Sequence, residues 1–144
     1  MVKQLSVFLQ NRSGKIASIT RALAENSIDI RALSIADTTD FGILRMLVSD
    51  IQAARRVLAD QNCIVSVNEV TVVAIPDEPG SLSKVLSLMA QEKIDIEYMY
   101  SLVERGAKEA FMVFRVSDGE RLSALLSENG LHTVSAQELK LNQN

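Results

Sequence analysis

Two short loops, each with a glycine just before a helical apolar pattern, carry the residues of this chain best suited to chemistry. A glycine at the mouth of a helix lets a ligand approach the backbone, and the unpaired N–H groups of the first turn favour an anion. The loops are therefore predicted to bind a carboxylate, and the candidate residues are Asn11, Arg12, Ser13, Gly14 and Lys15 in the first loop and Asp77, Pro79, Gly80 and Ser81 in the second. The alternative interpretation is that Gly14 and Gly80 only form tight turns, with Pro79 setting the first helical residue.

A free amino acid would bring an ammonium group together with its carboxylate, and that group needs acceptor atoms. Acceptors available to it are backbone carbonyl oxygens and the side chains of Asn11, Asp29 and Asp95. The first loop is the better site for the carboxylate because Arg12 and Lys15 are cationic. The acidic pair Asp77-Glu78 of the second loop repels an anion unless it faces the ammonium group.

The two loops belong to an internal duplication. Residues 6–14 return as residues 72–80, and residues 23–30 return as residues 89–96, both at a separation of 66 residues. Farther along, residues 47–50 match residues 115–118 at a separation of 68 residues. A repeat of about 70 residues indicates two similar modules, which we assign to residues 1–68 and 69–144. Because a module of this size is marginally stable alone, we expect the two to stabilise each other or to pair with a second chain.

Within each module the apolar pattern switches between the periods of strands and helices. Apolar residues alternate in 5–9, as in a half-buried strand, and recur at three and four residues in 16–23, as in a helix. Capping boxes at Ser49 with Gln52 and at Ser117 with Glu120 predict the start of the second helix of each module. Last strands are predicted at 64–67 and at about 133–141. The order β-α-β-β-α-β predicts an α+β fold of two ferredoxin-like modules, with both helices on one face of a four-stranded antiparallel sheet.

The opposite face of each predicted sheet is unusually apolar. Its third-strand members include Phe41, Ile43, Leu47, Phe111 and Val113. We expect this face to be buried in a homodimer, because a contiguous apolar surface is poorly hydrated. The alternative is that these are scattered surface residues, which are normal in soluble proteins.

The loops resemble the Asn/Asp-x-Pro-Gly loop of ACT domains, a family of amino-acid-sensing regulatory modules. The resemblance covers the whole chain, and the second loop fits better because Ser13 stands where proline is usual. It implies two modules packed side by side, with an amino acid bound at their interface, between the loop of one module and the second strand of its neighbour. Carried onto this sequence, it pairs Asn11 and Gly14 with Asp95, and Asp77 and Gly80 with Asp29.

Composition argues against several classes of function. A net charge of −3 with interspersed signs provides no basic stripe for nucleic acid, and no apolar run approaches the length of a membrane span. The single cysteine, Cys63, permits no internal disulfide, which favours a reducing cytoplasm. Cys63 and the single histidine, His132, are not at metal-ligand spacing, so no metal and no cofactor is predicted.

These observations predict a cytoplasmic, non-catalytic regulatory protein that binds a free L-amino acid and modulates an enzyme of amino-acid metabolism. A first alternative is a small enzyme on the same scaffold, because fold does not dictate function. It would need convergent polar side chains in a cleft, and the sequence contains no clear set. A purely structural pairing module is the second alternative. An RNA-binding module of the same topology is disfavoured by an aromatic content of 4%.

Overall fold

The computed structural model describes residues 1–10, 13–37, 41–102 and 108–144, and the chain divides into two compact units. The N-terminal unit comprises Lys3–Asn68 together with Lys140–Asn144. The C-terminal unit comprises Glu69–Leu139 together with Met1–Val2. That residues 1–68 and 69–144 act as separate functional modules stays a prediction.

The N-terminal unit is built from three strands, two helices and the beginning of a fourth strand. In chain order these are β1 (Val2–Gln10), α1 (Lys15–Glu25), β2 (Ile30–Asp37), β3 (Phe41–Val48), α2 (Ile51–Asp60) and the start of β4 (Ile64–Pro76). The strand order is β2-β3-β1-β4, and β3 pairs antiparallel with both β1 and β2. A core between sheet and helices contains Leu5, Val7, Leu44 and Met46 from the strands and Ile19, Leu23, Ile51, Ala54 and Leu58 from the helices.

The C-terminal unit repeats this plan. The rest of β4 is followed by α3 (Ser81–Gln91), β5 (Ile96–Leu102), β6 (Glu109–Val116), α4 (Gly119–Glu128) and β7 (His132–Val134). The strand order is β5-β6-β4-β7, and all three pairings are antiparallel. Its core contains Val73, Ile75, Met112 and Phe114 from the strands and Val85, Met89, Leu122 and Leu126 from the helices. The predicted α+β fold with two βαββαβ modules is confirmed.

The duplication extends to the irregularities of the strands. The pairing of β2 with β3 shifts between Ile30 and Ala32, and the pairing of β5 with β6 shifts between Ile96 and Tyr98. A bulge of this kind bends a strand and re-aims its side chains. The irregularity therefore falls at the corresponding position of the second strand in both copies.

The predicted capping boxes are wrong by one residue. The N-cap of α2 is Asp50, whose carboxylate accepts from the backbone N–H of Ala53, and the N-cap of α4 is Asp118, which accepts from Arg121 N–H. Serine and aspartate cap helices about equally well. In a Ser-Asp pair, the backbone conformation therefore decides which of the two residues is the N-cap. In the first copy the serine has another role, because Ser49 Oγ accepts from Asp29 N–H at 2.8 Å.

The last strand is much shorter than predicted. It ends at Val134, because the chain turns at Ser135 and does not continue extended to residue 141. Ser135 N–H donates to the Glu138 carboxylate at 2.7 Å, and Glu138 N–H donates back to Ser135 Oγ at 3.1 Å. This reciprocal pair has the geometry of a capping box and stops the strand.

The apolar second face is partly buried within the single chain, contrary to the expectation that it waits for a partner. Leu47 and Val113 are fully buried, whereas Ile43 and Phe111 are half-buried and Phe41 is 56% exposed. Leu47 and Val113 lie on β3 and β6, each flanked by a strand on both sides, whereas Phe41 lies at the end of its strand. The exposed remainder of the face is thus concentrated at a strand end.

The segment Lys140–Asn144 belongs to the N-terminal unit although it follows β7 in the chain. Asn142 N–H donates to Ser49 O at 2.8 Å, and Ile51 N–H donates to Asn142 O at 3.0 Å. The side chain of Gln143 bonds the backbone of Lys3, with its carbonyl accepting at 2.8 Å and its amide donating at 2.7 Å. The segment therefore satisfies backbone groups at the start of both β1 and α2.

Candidate functional site

The first candidate loop presents an open helix start. Gly14 is the N-cap of α1 with φ at +84°, a left-handed conformation that glycine adopts without strain, and no side chain caps the helix. A Cβ placed on Gly14 would meet no heavy atom of the described part of the chain within 4 Å. The first helical bond runs from Ser18 N–H to Gly14 O at 3.0 Å. Among the described residues, the N–H groups of Lys15, Ile16 and Ala17 have no acceptor and are available to an anion.

The second candidate loop has the same backbone shape with fewer available donors. Gly80 is the N-cap of α3 with φ at +92°, and a Cβ there would again meet nothing within 4 Å. Here, however, Ser81 N–H donates to Glu78 O at 3.3 Å, and the Ser81 side chain is buried. The exposed carboxylates of Asp77 and Glu78 lie at the same helix start. The second loop thus offers fewer free N–H groups and a more negative field than the first.

The structure places the predicted loop residues in two groups. Ser13, Gly14 and Lys15 lie together at the start of α1, and Asp77, Pro79, Gly80 and Ser81 lie together at the start of α3. Asn11 and Arg12 lie outside the described residues. The pairing of each loop with an aspartate of the other module stays a prediction.

The two predicted aspartates lie just before the second strand of their own unit and are exposed. Asp29 is held at its backbone by Ser49, and its carboxylate lies 3.7 Å from the Arg31 guanidinium. The Asp95 carboxylate forms neither a hydrogen bond nor an ion pair with any described residue. Asp95 is therefore the more available acceptor for an ammonium group.

Polar side chains in and after β7 bond to one another and to the backbone. His132 Nε2 lies 2.6 Å from Glu138 Oε1, and the N–H of Ser135 is the main cause that holds the pKa of Glu138 below its usual value. In the described part of the chain, His, Cys, Asp and Glu residues form no group of three that could hold a metal ion. Within the same ranges, every helix is too short or too polar to cross a membrane. The arrangement of the two loops suits the binding of a small carboxylate.

One polar feature was missed by the sequence reasoning. Thr71 lies on β4 at a core position, and its hydroxyl is buried with no hydrogen-bond partner among the described residues. It lines a cavity of about 220 Å³ at the start of α4. The repeat could have revealed it, because the equivalent residue of the first copy, 66 positions earlier, is Leu5. A threonine at the position of a core leucine indicates a buried hydroxyl.

Comparison with known proteins agrees with this architecture. A family model described as an ACT domain pair matches residues 1–142. The crystal structure of protein BT0572 from Bacteroides thetaiotaomicron is 38% identical, covers 96% of this chain and 95% of that chain, and superimposes with a TM-score of 0.89. No curated protein matches the chain.

More distant structures share the fold alone. The ligand-free regulatory subunit of aspartate kinase from Thermus thermophilus is 17% identical over 89% of this chain and 90% of that chain, with a TM-score of 0.64. Aspartate kinase from Synechocystis is 18% identical over 89% of this chain and 25% of that chain, with a TM-score of 0.58. The family match over nearly the whole length decides the assignment, and the chain belongs to the family of ACT domain pairs.

Proposed function

We propose that this chain is a non-catalytic regulatory protein that binds a free L-amino acid at the start of α1. The observation that carries the proposal is the helix start at Gly14, where, counting only the described residues, three N–H groups lack acceptors and a Cβ would meet no atom within 4 Å. Donors of this kind, at the positive end of a helix, recognise a carboxylate. The nearby Lys15 adds positive charge.

We propose, following the family resemblance, that Asp95 contacts the same ligand as Gly14 and that Asp29 contacts the same ligand as Gly80. The Asp95 carboxylate supports the first of these pairings, because it has no partner within the part of the chain that the structure describes and an ammonium group requires an unpaired acceptor. Asp29 already has Arg31 nearby, which lowers its value as an acceptor. We therefore propose a stronger site at Gly14 and a weaker one at Gly80.

Thermal unfolding in the presence of each of the twenty amino acids tests the proposal. Ligand at a hundred times its dissociation constant adds about 2.7 kcal/mol to the free energy of unfolding. For a chain of this length that corresponds to a rise in melting temperature of roughly 5–10 °C. If no amino acid shifts the melting temperature and calorimetry detects no heat of binding, amino-acid sensing is wrong and the structural pairing module becomes the better interpretation.

Three glycine variants locate the site. Gly14→Val should abolish the larger shift by blocking the approach to the backbone, and Gly80→Val should remove only a weaker second event. Gly130→Val is the matched control, because Gly130 also has a positive φ, of +70°, and open space beside it. It carries the same backbone strain without touching either loop. Asp95→Ala should weaken the first site while leaving the ligand-free melting temperature unchanged.

We propose that the regulated partner is an enzyme of amino-acid metabolism, and that the protein acts in the cytoplasm. Regulatory subunits of aspartate kinase share its fold, which supports a regulatory role without naming the enzyme. Regulation requires that the ligand bind two arrangements of the protein with different affinity. Titration of the ligand in the presence and absence of a candidate enzyme measures that difference directly.

We also propose that the protein is a homodimer through the exposed part of the apolar face. Phe8 and Phe41 remain exposed there, and in the pairing of β1 with β3 their neighbours are Ile43 and Gln10. Phe41→Glu and Phe111→Glu should give monomers or insoluble protein in light scattering. Leu33→Glu is the control, because Leu33 is similarly exposed but pairs with the core residue Met46 on the opposite face. A wild-type protein that is monomeric at about 50 µM contradicts this proposal.

A further inference from the structure

The N-terminal unit already contains an extended segment bound at the start of its second helix. Asn142 forms a parallel bridge with Asp50, through the bonds from Asn142 N–H to Ser49 O and from Ile51 N–H to Asn142 O. Its side-chain amide also donates to the second carboxylate oxygen of Asp50 at 3.1 Å. One residue thus satisfies two backbone groups and one side chain of the helix start.

Among the described residues, the equivalent helix start in the C-terminal unit has no bound segment of this kind. The repeat places Ser117, Asp118 and Gly119 where the first copy has Ser49, Asp50 and Ile51. Within the described part of the chain, no bond comparable to those of Asn142 is made to Ser117 O or to Gly119 N–H. The Asp118 carboxylate accepts from Arg121 N–H through Oδ1 at 3.0 Å, and its Oδ2 has no described partner.

A cavity lies at this helix start. It measures about 220 Å³ and is lined by Ser117, Asp118, Gly119, Thr71, Arg115 and Met1, among others. Met1 is 54% exposed and packs where Gly119 lacks a side chain, on the side that the larger Ile51 occupies in the first copy. All these residues belong to the C-terminal unit, so the cavity is complete within it.

Thr71 gives independent evidence that the cavity takes a polar ligand. Thr71 is only 2% exposed, and its hydroxyl has no hydrogen-bond partner among the described residues. The hydroxyl oxygen lies 3.6 Å from the point that a Cβ on Gly119 would occupy, at the start of α4, and the side chain of Met1 lies at the same point. A buried hydroxyl left unpaired is destabilising, and a ligand with a polar group would remove that cost.

We propose that this cavity binds an extended peptide segment of a partner protein, with an asparagine or similar amide donor opposite Asp118. The peptide backbone would accept from Gly119 N–H and donate to Ser117 O, as Asn142 does in the first copy. The amide side chain would donate to Asp118 Oδ2, and a peptide oxygen would accept from the Thr71 hydroxyl once the exposed Met1 side chain moves aside. This is strand addition to unsatisfied backbone groups, a common mode of peptide recognition.

The charges around the cavity define the peptide further. Glu69, Asp118 and Glu120 line it, and Arg115, which also lines it, is engaged with Glu97 at 3.3 Å and with Glu69 O at 2.7 Å. The site therefore favours a neutral or cationic segment over an acidic one. Glu69 is the repeat equivalent of Lys3, and its carbonyl oxygen already accepts from Arg115. The peptide therefore needs no residue equivalent to Gln143, whose amide donates to Lys3 O in the first copy. Residues 140–144 of a second copy are an unfavourable occupant, because they would have to leave their own unit.

The test uses the acetylated peptide Lys-Leu-Asn-Gln-Asn, the sequence of residues 140–144, titrated into the ¹⁵N-labelled full chain. Amide signals of residues 117–120 should shift saturably at millimolar peptide, and those of 49–52 should not. Asp118→Asn should weaken binding about tenfold, because asparagine still caps the helix but replaces the acceptor with a donor. Thr71→Val should weaken it about fivefold.

Two matched probes keep the result specific. The same peptide with leucine in place of its first asparagine should bind at least about tenfold more weakly, and free L-asparagine at equal concentration should leave residues 117–120 unshifted. The proposal is overturned if the peptide shifts no signal of residues 117–120 at about 5 mM, or if it shifts only residues 49–52. It is also overturned if free L-asparagine reproduces the shifts, since the site would then recognise a small molecule.

Discussion

The two units of this protein share strand order, core positions and even the bulge in the second strand, but they differ at the starts of their helices. In the N-terminal unit the start of α2 is bonded to Asn142, and the start of α1 is open. In the C-terminal unit the start of α4 has no comparable bond within the described ranges, and Glu78 O accepts from the first N–H of α3. Helix starts carry backbone groups that the helix itself cannot satisfy, so they are where duplicated modules can diverge in function without altering the core.

The largest expected effects test whether the two cores are equivalent. Leu23 and Met89 occupy corresponding positions of α1 and α3, and both are buried. Leu23→Ala and Met89→Ala should each lower the free energy of unfolding by about 2–5 kcal/mol, measured by denaturant unfolding. Leu33→Ala, at a 47% exposed position, is the control and should cost far less. A loss below about 0.5 kcal/mol for both core variants would refute the equivalence.

Removal of residues 140–144 should affect the N-terminal unit more than the other. The deletion exposes the site of the buried Leu141 and breaks the backbone bonds of Asn142, with an expected loss of about 2–3 kcal/mol. Hydrogen exchange should quicken at Ile51 N–H and at the start of β1. If the exchange of Gly119 N–H quickens equally, the segment does not stabilise the N-terminal unit selectively. Asn142→Ala, which keeps the backbone bonds, serves as the milder control.

The caps of the second helices should differ modestly. Asp50→Ala and Asp118→Ala each remove a bond to a backbone N–H, of 2.9 Å and 3.0 Å respectively, and should cost about 1 kcal/mol. Asp50→Ala should cost more, because it also loses the amide of Asn142. Urea unfolding should compare these variants with Asp50→Asn and Asp118→Asn. Asparagine keeps the cap but removes the charge, so the comparison separates the two contributions to the free energy of unfolding. A larger loss for Asp118→Ala would contradict the role assigned to Asn142.

Two hydroxyls should respond with opposite signs. Thr71→Val replaces an unpaired buried hydroxyl and should raise the free energy of unfolding by about 1 kcal/mol. Ser6→Ala removes a hydroxyl that donates to Asn68 Oδ1 at 2.7 Å and should lower it by a similar amount, about 1 kcal/mol. Thermal unfolding of both variants checks the sign. Destabilisation by Thr71→Val would mean that the hydroxyl is satisfied.

The smallest effects concern pH. The N–H of Ala53 is the main cause that holds the pKa of Asp50 below its ordinary value of 3.8, and the N–H of Ser135 acts likewise on the pKa of Glu138, ordinarily 4.5. A lowered carboxyl pKa stabilises the folded state above the ordinary value, and that contribution is lost as the pH falls through the folded-state pKa. Both Asp50→Asn and Glu138→Gln should therefore flatten the decline of stability in acid. An unchanged slope in both would show that neither carboxylate contributes.

Much of this fold follows from pattern alone, because apolar spacing reports which face of an element is buried. Ile51, Ala54 and Leu58 are all buried as their spacing predicts. The predicted N-caps are one residue too early, because adjacent Ser and Asp are both good caps and only the backbone conformation distinguishes them. The truncated last strand could have been predicted, since Ser135 and Glu138 have the same spacing that was used to place helix starts.

The candidate sites were predictable to a lesser degree. The glycines identify the loops because positive φ is a local property, and both have it. Burial of Leu47 and Val113 was expected from a second chain, whereas both are buried within one chain, because burial of a second sheet face depends on the path of the whole chain. The vacant site near Thr71 is a tertiary feature as well, since it depends on a segment that occupies only one of two equivalent positions.

The placement of residues 140–144 in the N-terminal unit has a consequence for biosynthesis. The bonds between Lys3 and Gln143 join residues 140 positions apart, so the unit translated first is completed after the other has been made. At about 5–20 residues per second, the roughly 70 intervening residues delay that completion by about 4–14 s. Throughout that interval the nascent chain carries open backbone groups at Ser49 and Ile51. A ribosome stalled before residue 140 should therefore display a first unit that is folded but more readily digested by protease than the finished protein.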